Sequence, residues 1–410
     1  MIWRCELIGG TVGGTMLSVK VTMRRFLAPS LLLLAVGVAA CGESAESPGS
    51  GTGAGSTSAQ PDAGLGIDTA GWKTDFSEHS VPLSEFVSGG PPRDGIPPID
   101  EPSYVSQDEA EDFLSDREPV LVVEQFGEAR AYPLQILVWH EIVNDELEGR
   151  PIAVTYCPLC NSSVVFDRRV GGDELTFGTT GNLRNSDLVM WDRQTESWWQ
   201  QLTAEAVVGE LTGTKLEVLP AQTLSFEDFR AAYPQGDVLS RDTGFQRDYG
   251  TNPYVGYDET AEEEPFLFEG ETDNRLPPKA RVTALFSDDE TLVIPFERLE
   301  AEPVVNEDVG GGPAVVFYDP EVASTLDEET IADSRSVGTA AAFERRVGRR
   351  ELTFELRGDR FVDRETGSEW DITGRAVSGP LAGEELRPIR HDEQFWFALA
   401  AFLPDAEIAR

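Results

Sequence analysis

The chain has 410 residues, 40% of them hydrophobic, with a formal net charge of −40 and a pI near 4.3. That length suits about two domains of ordinary size, and 39 Gly and 26 Pro spread along it indicate a turn-rich globular chain rather than a disordered one. So acidic a surface repels phosphate backbones, which excludes nucleic acid as a partner, and it fits a well-solvated protein in a salty milieu.

Taken from the N-terminus, Arg24 and Arg25 precede an apolar run from Phe26 to Ala40 that is short for a membrane span. It ends Val38-Ala39-Ala40-Cys41, which resembles a bacterial lipobox. Residues 1–41 are therefore expected to be a signal peptide, starting at Met16 or Met23, with Cys41 lipidated. The mature protein is then extracytoplasmic and anchored to the membrane through that lipid. Residues 42–70, rich in Gly, Ser, Ala and Pro, read as a flexible tether. Residues 71–118 form an N-terminal extension with one helix expected after Ser106.

Beyond this point the chain matches itself. Pro133 corresponds to Pro295, Val143-Asn144 to Val305-Asn306, Pro151 to Pro313 and Tyr156 to Tyr318, all at one shift. After Pro158 and Pro320 the shift lengthens, so the second copy carries an insertion there of about 15 residues. The match then resumes with Leu175-Thr176-Phe177 against Leu352-Thr353-Phe354, Asp192-Arg193 against Asp363-Arg364, and Trp199 against Trp370. The expected organisation is a repeat domain at 119–236, an aromatic connecting loop at 237–280 and a second repeat domain at 281–408. Repeats this long indicate paired domains rather than a solenoid. Residues shared by both copies are candidates for the fold, and residues confined to the first are candidates for chemistry.

Within the first copy, Val120–Val123 reads as a strand and Pro133 opens a short helix. Glu141–Asn144 and Ile152–Tyr156 are β-type runs either side of Glu148-Gly149, and Gly171-Gly172 signals a second hairpin. Ser225-Phe226-Glu227-Asp228 resembles a capping box opening a helix that Pro234 stops. The fold class is α+β, strand-rich, as two tandem copies of one domain with short helices and a long connecting loop. If Glu148-Gly149 is a two-residue hairpin tip, His140 falls opposite Cys157, with Cβ atoms about 4.5–5.5 Å apart. In the second copy the tip is Gly310-Gly311, and Glu302 and Asp319 stand at these two positions. A slip of one residue moves His140 to the other face.

Trp139-His140-Glu141-Ile142-Val143-Asn144-Asp145, Thr155-Tyr156-Cys157-Pro158-Leu159-Cys160 and Leu183-Arg184-Asn185-Ser186-Asp187-Leu188 together resemble an uncharacterised bacterial and archaeal family catalogued as domain of unknown function 3179. Ser240–Gly244 and Asn252-Pro253-Tyr254 fit the same pattern. The resemblance covers most of the mature chain and implies membership without implying a mechanism.

Three chemistries suit the first copy. Two thiolates two residues apart plus an imidazole form a metal set, Cys157, Cys160 and His140, suited to copper or zinc, with Glu141 available as a fourth ligand. A Cys-Pro-Leu-Cys motif also suits thiol–disulfide redox work on a fold other than thioredoxin, with an unidentified redox partner. A disulfide pinning the loop is the structural alternative, and the chain then serves as a surface-displayed binding module that meets a protein or glycan partner through the aromatic loop 245–257. Arg184, Asn185 and Asp187 are further pocket candidates, because the second copy is shorter there. Asp192, Arg193 and Trp199 have counterparts in the second copy and read as structural.

Overall fold

The computed structural model describes residues 67–125, 127–261, 263–287 and 290–409. The segment expected to be a signal peptide, Cys41 and most of the expected tether lie outside them. The extension contributes β1 (Phe86–Ser88), β2 (Tyr104–Val105) and α1 (Gln107–Ala110), which is opened by a Ser106–Glu109 capping box.

The first half then runs β3 (Pro119–Gln125), β4 (Glu128–Pro133), α2 (Leu134–His140), β5 (Ile142–Leu147), β6 (Arg150–Cys157) and β7 (Ser162–Asp167). It continues with β8 (Arg169–Val170), β9 (Asp173–Glu174), β10 (Phe177–Arg184), β11 (Asp187–Asp192), β12 (Trp198–Gln200) and β13 (Glu205–Val208). It closes with β14 (Val218–Leu219), β15 (Gln222–Ser225), α3 (Phe226–Ala232) and β16 (Asp237–Leu239). The Gly171-Gly172 hairpin is only the small β8–β9 ribbon. Ser225 caps α3 by accepting from Asp228 N at 3.0 Å, as its sequence pattern predicts.

The second half runs β17 (Arg281–Phe286), β18 (Thr291–Pro295), α4 (Phe296–Ala301), β19 (Val304–Val309), β20 (Gly312–Asp319) and β21 (Thr339–Glu344). There follow β22 (Arg346–Val347), β23 (Arg350–Glu351), β24 (Phe354–Arg357), β25 (Arg360–Asp363), β26 (Glu369–Trp370) and β27 (Ala376–Ser378). The last elements are β28 (Arg387–Pro388), β29 (His391–Phe395), α5 (Trp396–Phe402) and β30 (Glu407–Ile408). The chain is thus strand-rich with a few short helices.

Strand order runs in parallel between the halves. The sheet β15-β3-β4-β16 has the order of β29-β17-β18-β30, β14-β7-β6-β5 that of β28-β21-β20-β19, and β10-β11-β12-β13 that of β24-β25-β26-β27. Added strands from the extension lengthen two first-half sheets, β2 beside β16 and β1 beside β10. Both hairpin tips turn with positive φ at both residues, Glu148 (51°) with Gly149 (75°) and Gly310 (57°) with Gly311 (74°). That backbone matches the right-handed twist of the flanking strands.

β6 is buried on both faces, and its alternation decides where the site forms. Ala153 and Cys157 face one core with Phe177, Met190 and Trp199, whereas Ile152, Val154 and Tyr156 face another with α2. The halves share cores: Val120 and Leu224 pack with Phe317 and Phe343, and Cys160 packs in a cluster with Leu326, Phe395 and Phe397. All described residues fall in one compact unit.

The connection from β6 to β7 spans 158–161, and the corresponding one from β20 to β21 spans 320–338. That longer loop binds the connecting segment: Tyr257 N donates to Leu326 O (3.0 Å) and Asn252 N to Glu329 O (2.9 Å). The aromatics of 245–257 largely turn inward, for Tyr249 reaches His140 and Tyr254 packs in two cores, leaving Phe245 and Val255 as the exposed apolar side chains there. The same Asp hub recurs in each half. Asp192 accepts from Thr195 N (2.6 Å), Thr195 Oγ1 (2.8 Å) and Trp199 Nε1 (2.9 Å). Asp363 accepts from Thr366 N (2.6 Å), Thr366 Oγ1 (2.7 Å) and Trp370 Nε1 (3.1 Å).

Candidate metal centre

The β5–β6 ladder has the register expected from its tip, with Ile142 opposite Thr155 and Leu147 opposite Arg150. It stops short of His140. Helix α2 runs through His140, and Glu141 then takes a left-handed conformation (φ 59°, ψ −27°) that turns the chain into β5. His140 therefore does not stand across from Cys157. Its Nδ1 lies 2.7 Å from Pro97 O and its Nε2 2.6 Å from Tyr249 Oη. A carbonyl only accepts, so Nδ1 carries the proton and Tyr249 donates to Nε2.

Burial holds His140 neutral, with its pKa lowered to about 4. The unfolded chain takes up a proton below about pH 6.5, and the folded one does not until about 4, so stability is lost as pH falls through that window. The stability advantage of the native chain over His140→Asn is expected to shrink by about 3 kcal/mol between pH 7 and 4, read by urea unfolding. An advantage that stays constant with pH means that His140 is not buried as a neutral ring.

Asp187 takes the place beside the thiols that the ladder assigned to His140. Cys157, Cys160 and Asp187 bring one ligand atom each to within 4.8 Å of one another. Both thiols are free, and all three residues are almost wholly buried. Cys157 ends β6, Cys160 lies in the tight turn Pro158–Asn161, and Asp187 opens β11 after a two-residue turn. In that turn Asn185 (φ 51°) and Ser186 (φ 65°) both adopt left-handed backbone. The role of Asn185 is this turn, which its αL tolerance suits. Ser186 O accepts from Cys157 Sγ at 3.7 Å, and Ser186 Oγ donates to Phe266 O. Arg184 Nε donates to Glu85 (2.7 Å) and its Nη1 to Gln200 Oε1 (3.5 Å), so it meets the centre only through Gln200.

Other contacts fix the centre from outside. Asp187 Oδ2 accepts from Gln200 Nε2 (2.5 Å) and Leu202 N (3.1 Å). Its Oδ1 is buried and accepts no hydrogen bond of good geometry, with the Cys160 thiol as the donor group beside it. Tyr257 Oη donates to Leu159 O (3.0 Å) and Phe395 N to Cys160 O (2.9 Å), so the connecting segment and the second half both clamp the cysteine turn. Gln200, Tyr257 and Phe395 escaped the sequence reading. Gln200 has Asp371 as its counterpart, one residue past the shared Trp, a difference that the internal comparison contains.

The electrostatics are those of acids without a cation. Burial, with Cys157 and Asp187 alongside, pushes the Cys160 thiol well above its ordinary range. Burial raises Asp187 to about 7 against the donors on its Oδ2. Burial and then the Asp187 charge raise Glu141 to about 8. Among the described residues no Arg, Lys or His hydrogen-bonds to any of the four.

The family model described as protein of unknown function (DUF3179) matches residues 93–406. The chain belongs to that family. The match takes in both halves and the whole of this centre. No curated protein and no solved structure matches the chain.

Glu141 also carries backbone strain. It occupies the position after a helix where Gly is the usual residue, and an L side chain there costs about 1 kcal/mol. Glu141→Gly is expected to raise unfolding stability by about 1 kcal/mol. A less stable variant in chemical denaturation means that the side chain contributes packing that outweighs the strain.

Proposed function

We propose that the chain is a zinc-binding protein built by duplication of one domain, with the ion held by Cys157, Cys160 and Asp187 in the first half. The observation that carries this reading is the convergence of two free thiols and a carboxylate with an orphaned oxygen in a buried cluster to which no basic side chain among the described residues hydrogen-bonds. A divalent cation resolves that arrangement, because it takes the protons' place on the sulfurs and satisfies Asp187 Oδ1. The carboxylate favours zinc over copper, since Cu(I) prefers an all-soft donor set. Three protein ligands leave a fourth position for water or a substrate atom.

Thiol–disulfide exchange is less well supported. An attacking thiol needs exposure and a depressed pKa, whereas Cys157 and Cys160 are 2% and 0% exposed and burial pushes the Cys160 thiol up. The duplication reading rests on the shared strand order and the repeated Asp192 and Asp363 hubs. The second half has Asp319 in place of Cys157, so it serves as the clamp on the cysteine turn. Lipidation of Cys41 keeps the domain on the membrane surface.

Titrating the metal-free domain with Co(II) tests the site. Thiolate-to-cobalt charge-transfer absorption is expected to saturate at one equivalent and to be displaced by zinc. Absorption with no thiolate contribution sinks the assignment.

A further inference from the structure

A cavity of about 260 Å³ lies where matching elements of the two halves meet. β7 and the β14–β15 link wall one side, and β21 and the β28–β29 link wall the other. An apolar cavity of about 150 Å³ already holds a benzene ring, and pockets for drug-sized ligands begin near roughly 300 Å³, so this one suits a single-ring ligand. Its apolar wall is formed by Val122, Val165, Leu219, Phe343, Leu386 and Ile389.

The charged groups on the wall are unequally matched. Arg375 donates to Ala232 O (2.8 Å) and to Glu124 (3.2 Å) and pairs with Glu385 (3.2 Å), so these three charges are committed to one another. Arg390, in the β28–β29 link, is less well served. Its guanidinium stacks on Phe286, 4.3 Å from the ring centre, and among the described residues its one acceptor is Asp392 Oδ2 at 3.5 Å. A guanidinium–carboxylate bond is ordinarily about 2.7–2.9 Å long. Burial pushes the Asp392 carboxyl up, which weakens it further as a counter-charge. His391 donates Nδ1–H to Ile389 O (2.8 Å), and burial keeps its ring neutral. The matching link in the first half, Pro220-Ala221, lines the same cavity without a charge.

An under-partnered guanidinium beside an apolar space selects a planar anion that it can meet with two parallel hydrogen bonds. We infer that this cavity binds a small organic carboxylate on a single-ring apolar body, with the carboxylate paired to Arg390 and the ring against Val165, Leu219 and Phe343. The acidic surface elsewhere opposes this little, because charges more than about 8–10 Å away are screened at physiological salt. A neutral alcohol of the same shape fills the walls equally well and lacks the charge.

Calorimetric titration with benzoate and with benzyl alcohol, on protein as purified and again after chelation, tests this. Benzoate is expected to bind roughly tenfold tighter or better than the alcohol, in line with a charge-assisted pair. Arg390→Gln should erase that preference while leaving the alcohol's affinity unchanged, which shows that the cavity is intact. Ala221→Leu, which narrows the cavity from the facing link, should weaken both compounds. Equal affinities in the native protein, an unchanged preference in Arg390→Gln, binding indifferent to Ala221→Leu, or no binding of either compound each overturns the inference. A preference that vanishes on chelation places benzoate on a bound ion and overturns it too, whereas a preference that survives chelation stands whether or not the zinc assignment does.

Discussion

Replacing Cys157 by Ser or Asp187 by Asn is expected to remove zinc from the domain, whereas His140→Asn leaves it bound. The contrast follows from which side chains converge. Cys157, Cys160 and Asp187 share one cluster, while both nitrogens of His140 are engaged by Pro97 and Tyr249. Removing one of three ligands leaves two, too few to hold zinc against solvent, and affinity should drop by at least about 100-fold, the upper end of the loss produced by disturbing even an outer contact. Gln200→Leu, which removes a donor to Asp187 and leaves the ligands in place, should cost roughly 10–100-fold. Zinc content after dialysis against a competing chelator reads all four variants. Loss of zinc in His140→Asn with retention in Asp187→Asn would favour the set read from the ladder over the one in the cluster.

The second large effect concerns the frame. Asp192→Ala is expected to destabilise the protein by about 3 kcal/mol, and Asp363→Ala by a similar amount. Each carboxylate is fully buried and accepts from a buried Trp Nε1 and from the N–H and hydroxyl of a half-buried Thr, so truncation removes the partner of three donors at once. Asn at either position keeps the shape and one acceptor and should cost less. Urea unfolding of the two Ala variants gives the comparison. A cost under about 1 kcal/mol in both means that the Trp and Thr donors find other partners, and the hub is then not a stabilising element of either half.

Much of the frame was legible because it rests on local, periodic signals. Glu148-Gly149 and Gly310-Gly311 define hairpin tips, and a ladder's register follows from its tip. Ser225 and Ser106 cap helices at the residues their hydroxyls suit. The comparison of the two halves directed attention to Cys157, Asp187 and Asn185, which the second half lacks.

His140 was misplaced because a ladder extrapolates only while the backbone stays extended, and the left-handed turn at Glu141 has no signature in a Glu residue. Asp187 emerged as a pocket candidate but not as a partner of the cysteines, since its approach depends on how the sheet of β10–β13 packs on that of β5–β7. Such packing is set by side chains distant in sequence, as are the clamps from Tyr257 and Phe395. The inward turn of Tyr249, Tyr254 and Tyr257 was hidden for the same reason.

The most direct test of the central claim is the native intact mass of the mature domain, purified from an extracytoplasmic compartment without chelator. A mass increase of one zinc per chain that disappears in Asp187→Asn is the predicted result. A mass with no adduct and lower by two hydrogens would contradict it, because Cys157 and Cys160 would then be joined to each other and unavailable to an ion.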